Sequence, residues 1–355
     1  MQMKENQALA PFTTFGIGGP ARWFVEAASE DEIAEAAAWA RGRGVPLFVL
    51  GGGSNLLVAD AGFDGLVLRV GLKGIRVHKN GSLKSAPGEP WGYEVAAGED
   101  WDGFVERAVS DGCSGIECLA GIPGTVGGTP VQNVGAYGQE VSSTISSVRA
   151  FDLHEGAFRS FTGEECGFGY RRSRFNSSDR GRYIVTSVSY GLSPGGPPLL
   201  AYADVKSCFE GRADTPTLKE VAAAVRTIRQ GKGMLLVEGD KDCRSAGSFF
   251  KNPVIAADIA EQVRAFAESA GLALRAYPTT DGLVKIPAAW LIEQAGFPKG
   301  YSLGAAGISS RHTLALINLD GATAKEIVAL ADRIVAGVED RFGIRLEMEP
   351  VMLGF

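Results

Sequence analysis

Histidine is scarce in this sequence. Its 355 residues hold only three, His78, His154 and His312. None lies near another or near a carboxylate pair at ligand spacing, so histidine-based metal binding and histidine base chemistry are both disfavoured, and no metal is expected. Cysteine is nearly as sparse. Cys113, Cys118, Cys166, Cys208 and Cys243 are odd in number and scattered, with no Cys-x-x-Cys pair. That excludes a disulfide framework or a zinc site as the organising feature and leaves buried, reduced thiols. Excess positive charge is missing too: the net charge is −6 with both signs mixed along the chain, which does not supply the extended basic surface that nucleic acid requires. No apolar run approaches the roughly 18 residues of a membrane helix. The opening MQMKENQALAPFTTFG has no basic segment leading into an apolar one, so the expected setting is the cytoplasm.

What is present is an ordinary globular balance, 45% hydrophobic and 21% charged, in a chain long enough for two or three domains with their own cores. The 48 glycines are nearly twice the usual share of about 7%. They are not low-complexity; they fall in turns and in two glycine-rich loops.

Residues 21–27 read as a strand. Ser29-x-x-Glu32 is a capping box that opens a helix with Ile33, Ala36, Ala37 and Ala40 on one face, closed by Gly44. The apolar run 45–50 predicts a buried strand, followed by the loop Gly51–Asn55 and another strand over 65–70, so the chain opens as a β-α-β unit. Residues 75–192 are strand-rich, with one helix over 102–110, and SPGGPPLLAYAD after them reads as an exposed excursion. Thr217-x-x-Glu220 opens a helix with Leu218, Val221, Val225 and Ile228 inward. Further helices are expected over 257–271 and 287–295. Thr323-x-x-Glu326 caps the last long helix, with Ile327, Leu330, Ile334 and Val338 as its buried stripe and Gly343 at its end. A strand over 344–349 would place Ile344, Leu346 and Met348 on one face and Arg345, Glu347 and Glu349 on the other, a pattern that ordinarily makes a solvated edge.

Gly51-Gly52-Gly53-Ser54-Asn55 follows a strand, so its backbone amides can converge on a pyrophosphate with no β-carbon in the way while Ser54 and Asn55 add side-chain donors. It is not Gly-x-Gly-x-x-Gly, and Gly16-Ile-Gly-Gly19 precedes a strand instead of following one, which weakens a Rossmann reading. The second loop, Gly121-Ile122-Pro123-Gly124-Thr-Val-Gly127-Gly128, leads into Asn133-Val-Gly135-Ala136-Tyr137-Gly138. That mixture of permissive backbone, amides and one phenol suits close contact along a large flat ligand. Either loop alone could be no more than a turn.

Taken together, GGGSN and GIPGTVGGTPVQNVGAYG resemble the two-part FAD site of vanillyl-alcohol-oxidase and p-cresol-methylhydroxylase type flavoproteins. Within that group TTFGIGGPA, FGYRRSRF, GSFFKNP, AAWLIEQAG and LEMEP resemble the UDP-N-acetylenolpyruvoylglucosamine reductase (MurB) family, over about Thr13 to Val351. The resemblance implies an α+β, three-domain FAD-binding flavoprotein with a C-terminal substrate domain. Its parts would be a first FAD subdomain over 1–72 completed by a terminal strand at 343–355, a second over 73–215, and a substrate domain over 216–342. It also implies FAD contacts from Gly51, Gly52, Gly53, Ser54, Asn55, Gly121, Ile122, Pro123, Gly124, Gly127, Gly128, Asn133, Gly135, Ala136 and Tyr137. No histidine lies in either loop, so the FAD is expected to be non-covalent, with NADPH as reductant.

Reducing an enol ether beside a carboxylate needs a hydride at one carbon, a proton at the other, and a counter to the charge that builds between the two steps. The resemblance assigns Arg171 to the carboxylate, with Arg172 the adjacent alternative, a task suited to a planar, permanently charged fork. It assigns Ser248 as the proton donor and Glu349 to the enol intermediate, with Glu347 the competing carboxylate. Without the resemblance Ser248 would read as a turn residue. It further implies substrate contacts from Tyr170, Tyr202, Lys232, Asn252, Lys285 and Gln294, and a tyrosine loop that folds over substrate, the mark of the longer of two classes in the family. The expected partner is the UDP-sugar alone: no nucleic acid, no membrane and no second copy of the chain. The alternative activity is a flavin-dependent oxidase of the same superfamily acting on an alcohol or sugar.

Overall fold

The computed structural model describes residues 1–79, 89–279 and 281–355. It runs β1 (Met3–Ala8), β2 (Pro20–Ala27), α1 (Glu30–Arg43), β3 (Leu47–Leu50), β4 (Leu56–Val58), β5 (Phe63–Val70), β6 (Ile75–His78) and β7 (Trp91–Ala96). Next come α2 (Trp101–Ser110), β8 (Cys113–Ser114), β9 (Gly135–Ala136), β10 (Gln139–Glu140), β11 (Ile145–Asp152), β12 (Ala157–Thr162) and β13 (Tyr183–Pro194). The remainder is α3 (Ala203–Ser207), α4 (Leu218–Gly231), β14 (Val254–Ile255), α5 (Ala257–Ser269), β15 (Tyr277–Pro278), β16 (Val284–Lys285), α6 (Ala288–Gln294), β17 (Ser302–Leu303), β18 (Ala306–Ile308), β19 (Leu316–Asn318), α7 (Ala324–Phe342) and β20 (Val351–Leu353). Contacts divide the chain into two units, one of Met1–Gln7, Ala21–Gly53 and Phe63–Gly231, the other of Ala8–Pro20, Ser54–Gly62 and Lys232–Phe355.

The first unit holds two sheets. One has the order β1-β2-β5-β3, with β5 parallel to both β2 and β3. The other is antiparallel, β12-β11-β13-β7-β6, with β8 added on β13. The first helix forms as its sequence predicts: Ser29 accepts from the Glu32 amide, Gly44 closes it in the left-handed region, and Ile33, Ala36, Ala37 and Ala40 are buried. Glu32 departs slightly from the box by reaching Ala28 N instead of the Ser29 amide. Arg149 on β11 grips Glu30 through two bonds of 2.8 and 2.9 Å, which ties the start of α1 to the antiparallel sheet. β3 is half-buried, not buried as its apolar run suggests, because it lies at a sheet edge and has a neighbour on one side only. The core joins α1, α2 and the inner faces of both sheets, with Trp101, Phe104, Tyr93 and Tyr190 forming an aromatic cluster.

α4 packs in this first unit, although its sequence reads as the opening of the last domain. Arg226 bonds Asp102 of α2, and Arg229 donates from Nε to the Gly121 carbonyl at 3.0 Å. The excursion after β13 is only partly exposed. Leu199 donates its amide to the fully buried Glu117 at 2.9 Å, and Leu199 and Leu200 are half-buried. Of the five thiols, four are buried, but Cys208 at the end of α3 is exposed, a correction to the expectation of uniformly buried cysteines. That helix is only five residues long and buries only Val205, and residues 206–208 at its end are exposed.

The second unit has its own core, built on α7. Ile327, Leu330, Ile334 and Val338 are each fully buried, contributing roughly 1.5–3 kcal/mol apiece. Thr323 and Glu326 form the reciprocal cap, and Gly343 ends the helix in the left-handed region. Small antiparallel sheets β14-β16-β15 and β17-β18-β19 and the parallel pair β20-β4 complete it. The predicted strand over 344–349 is not a regular strand. Ile344 and Leu346 are buried and Arg345 and Glu347 exposed, as alternation requires, but the ladder proper begins at Val351. Only Met348 bridges, to Phe250. Among the described residues no helix is long and apolar enough to cross a membrane.

Candidate functional site

In the first unit the two glycine loops meet backbone to backbone. A β-carbon on Gly52 would lie 2.5 Å from Gly124 Cα, and one on Gly51 would lie 2.9 Å from Thr125 Oγ1. Gly53, Gly121 and Gly124 have φ of 62°, 74° and 129°, which L side chains rarely adopt. Among the described residues the N–H groups of Gly52 and Gly53 donate to no protein acceptor, as a cradle for an anion requires. The second loop is less open than its composition suggests. The Gly121 amide donates to Asp102 at 2.6 Å and the Gly127 amide to Ala97 O at 2.8 Å, and residues 126–128 close a 3-10 turn. Ile122 and Pro123 are half-buried between those two fixed points. The division between units falls inside the first loop, after Gly53. Ser54 and Asn55 therefore belong to the second unit.

Asn133 is a brace. Its Nδ2 donates to Glu140 Oε2 at 2.9 Å and to the Gly169 carbonyl at 3.0 Å, and its Oδ1 accepts from Ser142. It thus ties the hairpin β9–β10, which carries Gly135 and Ala136, to the turn Gly169–Arg172. In that turn Arg171 is left-handed at φ 52°, its carbonyl held by Asn176 at 3.1 Å and its guanidinium 5.7 Å from the Tyr170 ring. A left-handed non-glycine residue costs roughly 1–2 kcal/mol. Of the four described, three are Asn133, Tyr137 and Arg171, so backbone strain concentrates on residues that the sequence had singled out. Tyr137 is buried and meets the exposed ring of Tyr202 edge-on at 5.4 Å. Sequence reasoning missed Arg229. It is buried, and burial pulls its guanidinium below the ordinary arginine range against the opposing pull of Tyr137 and Asp102. Its position extends the stripe Leu218, Val221, Val225 by one more turn, a signal that pointed to 229 as well as to Ile228.

In the second unit the segment that follows Ser248 pairs antiparallel with the segment that ends in Glu349. Glu349 N donates to Phe249 O at 2.9 Å, Lys251 N donates to Glu347 O at 3.0 Å, and Phe250 bridges Met348. Glu347 points to solvent and pairs with Lys251, whereas Glu349 is half-buried. Asn55 joins this group, its side chain reaching Glu349 O at 3.4 Å and its carbonyl accepting from Val351. Asn252 caps α6, its Oδ1 accepting from Ala288 N at 2.9 Å. Lys285 lies over the Tyr277 ring at 5.8 Å, and Lys232 and Gln294 are half-buried. The other residue that sequence reading passed over is His312, whose Nε2 is 3.5 Å from Ser248 Oγ. Scarcity of histidine had counted against it, and nothing local in SSRHTLAL marks it.

With two glycine loops apposed on an α+β scaffold and a match to the FAD binding domain family, the chain is a flavoprotein. Residues 21–161 match the FAD binding domain family, and residues 239–353 match the family described as UDP-N-acetylenolpyruvoylglucosamine reductase, C-terminal domain. The UDP-N-acetylenolpyruvoylglucosamine reductase of Thermobifida fusca is 46% identical, with 98% of this chain and 97% of that one covered. The enzyme of the same name from Pseudomonas putida is 40% identical, with 99% and 98% covered. The crystal structure of the Thermus caldophilus reductase superposes with a TM-score of 0.64 at 28% identity, over 99% of this chain and 98% of that one. The chain belongs to the UDP-N-acetylenolpyruvoylglucosamine reductase family.

Proposed function

We propose that this chain reduces the enolpyruvyl ether of UDP-N-acetylglucosamine enolpyruvate to UDP-N-acetylmuramate, a step in making peptidoglycan precursors, in the cytoplasm and as a monomer, with NADPH as the source of electrons. The observation that supports the reading is the antiparallel pairing of 249–251 with 347–349, which brings the backbone that follows Ser248 against the segment that ends in the half-buried Glu349, in a chain of this family. Non-covalent FAD, when bound, supplies the hydride. The apposed loops at Gly51–Gly53 and Gly121–Gly124 suit its pyrophosphate, since they combine close backbone approach with the Gly52 and Gly53 amides, which donate to no acceptor among the described residues.

The chain's own residues divide the rest. Arg171, held in a strained turn, binds the substrate carboxylate through a bidentate fork and so stabilises the charge that develops on it. Ser248 gives the proton to the neighbouring carbon, a task a hydroxyl can perform where the acceptor is strongly basic and the geometry is set beforehand. Glu349 manages the enol. Tyr170, Lys232, Asn252, Lys285 and Gln294 offer phenolic, cationic and amide donors apt for a pyrophosphate and a uracil edge, and Tyr202 closes over the bound substrate. On this reading residues 1–72 with 343–355, 73–215 and 216–342 are the three working parts of the protein.

The test is NADPH oxidation by the purified yellow protein, followed by absorbance with and without the enolpyruvyl substrate. Wild type should oxidise NADPH only when substrate is present. Ser248→Ala should lose that dependence by about a hundredfold or more while its flavin is still reduced by NADPH. Oxygen-consuming turnover of a sugar without regard to NADPH would replace the reading with an oxidase.

A further inference from the structure

Among the described residues, His312 is the titratable side chain within hydrogen-bonding reach of the Ser248 hydroxyl, with Nε2 3.5 Å from Oγ. That is the long end of a hydrogen bond, and such contacts commonly tighten when substrate arrives. The placement is built from both sides. Phe249 N, next to Ser248, donates to Leu314 O at 2.7 Å, two residues beyond His312. The His312 amide donates to the buried Ser309 hydroxyl at 3.2 Å, and its carbonyl accepts from Ala315. Asp242 clamps the same loop by accepting from Ser310 N at 2.9 Å, Ser310 Oγ at 2.7 Å and Arg311 Nε at 3.0 Å. The charged groups bonded to the residues on either side of His312 are Asp240 and Asp242, which hold Arg311, and Glu293, which takes the Thr313 hydroxyl. An ordinary surface histidine needs none of this anchoring.

We propose that His312 is the positioning residue for Ser248, orienting its hydroxyl and restoring its proton. The inference rests on the reading of Ser248 as proton donor. When the Ser248 O–H proton passes to the anionic carbon of the reduced substrate, an imidazolium at His312 gives its Nε2 proton to Oγ. The serine stays neutral, the imidazole ends neutral, and solvent reprotonates it afterwards. The serine alkoxide, which would otherwise have to form, is avoided.

Two measurements on the holoenzyme test this. In rapid mixing, His312→Gln should leave reduction of the flavin by NADPH unchanged. It should slow reoxidation by the enolpyruvyl substrate by about 10-fold to 100-fold, and the fall in that rate with rising pH that the proposal requires of wild type should flatten. In histidine-labelled protein with three imidazoles to resolve, the His312 titration should shift between wild type and Ser248→Ala. Wild-type reoxidation with the wild-type pH profile in His312→Gln, or an unmoved His312 titration, overturns the proposal. If Ser248→Ala itself reoxidises normally, the proton-donor reading has failed; if Ser248→Ala is slow and His312→Gln is not, only this inference has.

Discussion

A β-carbon on Gly52 would stand 2.5 Å from the α-carbon of Gly124, backbone against backbone. Neither loop can yield without moving the other, because Gly124 itself holds a φ of 129°. Gly52→Ala should therefore purify with little or no flavin, and its thermal midpoint should not rise when FAD is added. Gly42→Ala, in α1, is the matched control, since a β-carbon there meets nothing within 4 Å. It should fold and bind FAD as wild type does. The ratio of flavin to protein absorbance checks both variants, and a yellow Gly52→Ala protein would refute the cradle.

Glu117 is fully buried and takes two backbone amides, Gly115 at 2.8 Å and Leu199 at 2.9 Å. Gln in its place has one acceptor oxygen, so one amide faces an NH2 group and loses its partner. The expected cost is about 1–3 kcal/mol in chemical denaturation, with faster proteolytic cutting after Leu199. Equal stability of Glu117→Gln and wild type would show that water replaces the lost bond.

Tyr202 is 45% exposed while its ring rests on Tyr137. If it closes over bound substrate, limited proteolysis over 195–205 should slow when the UDP-sugar is added, and Tyr202→Ala should abolish that protection while raising KM more than it lowers kcat. Cutting at the same rate with and without the UDP-sugar would count against a lid.

Asp152 has a buried carboxylate paired with Arg182 at 2.7 Å and accepting from His154 N and Glu155 N. The Arg182 hydrogen bonds, opposed by burial and helped by those amides, hold it well below the usual carboxylate range. Its folded pKa is thus depressed relative to an unfolded value near 3.9. The stabilisation is present above about pH 4 and is lost as pH falls through the folded value. Asp152→Asn should lower stability at neutral pH, and the gap to wild type should narrow below pH 4. A gap that stays constant down to acid unfolding would mean that the charge contributes nothing.

Much of the scaffold was legible because local rules and tertiary demand agree. The caps at Ser29, Thr217 and Thr323, the closing glycines 44 and 343 and the stripes of α1 and α7 all sit where their spacing put them. Where the reading slipped, a neighbour decided the outcome. The run 45–50 became an edge strand for want of a second partner, and residues 344–347 kept their alternation while 347–349 paired with 249–251. Arg229 sat in plain view on the α4 stripe, yet an arginine is ordinarily assigned to the surface, and what overrides that habit is the Gly121 carbonyl brought from more than a hundred positions away.

By itself, then, the sequence determined its helices, its two glycine loops and its family, because capping, periodicity and motif order are properties of residues near one another along the chain. Tertiary structure alone decided that the glycine loops touch, that Glu349 and not Glu347 turns inward, and that a histidine stands over Ser248. Each of those facts is a distance between residues far apart in sequence, set by which backbones can approach and which buried groups find a partner.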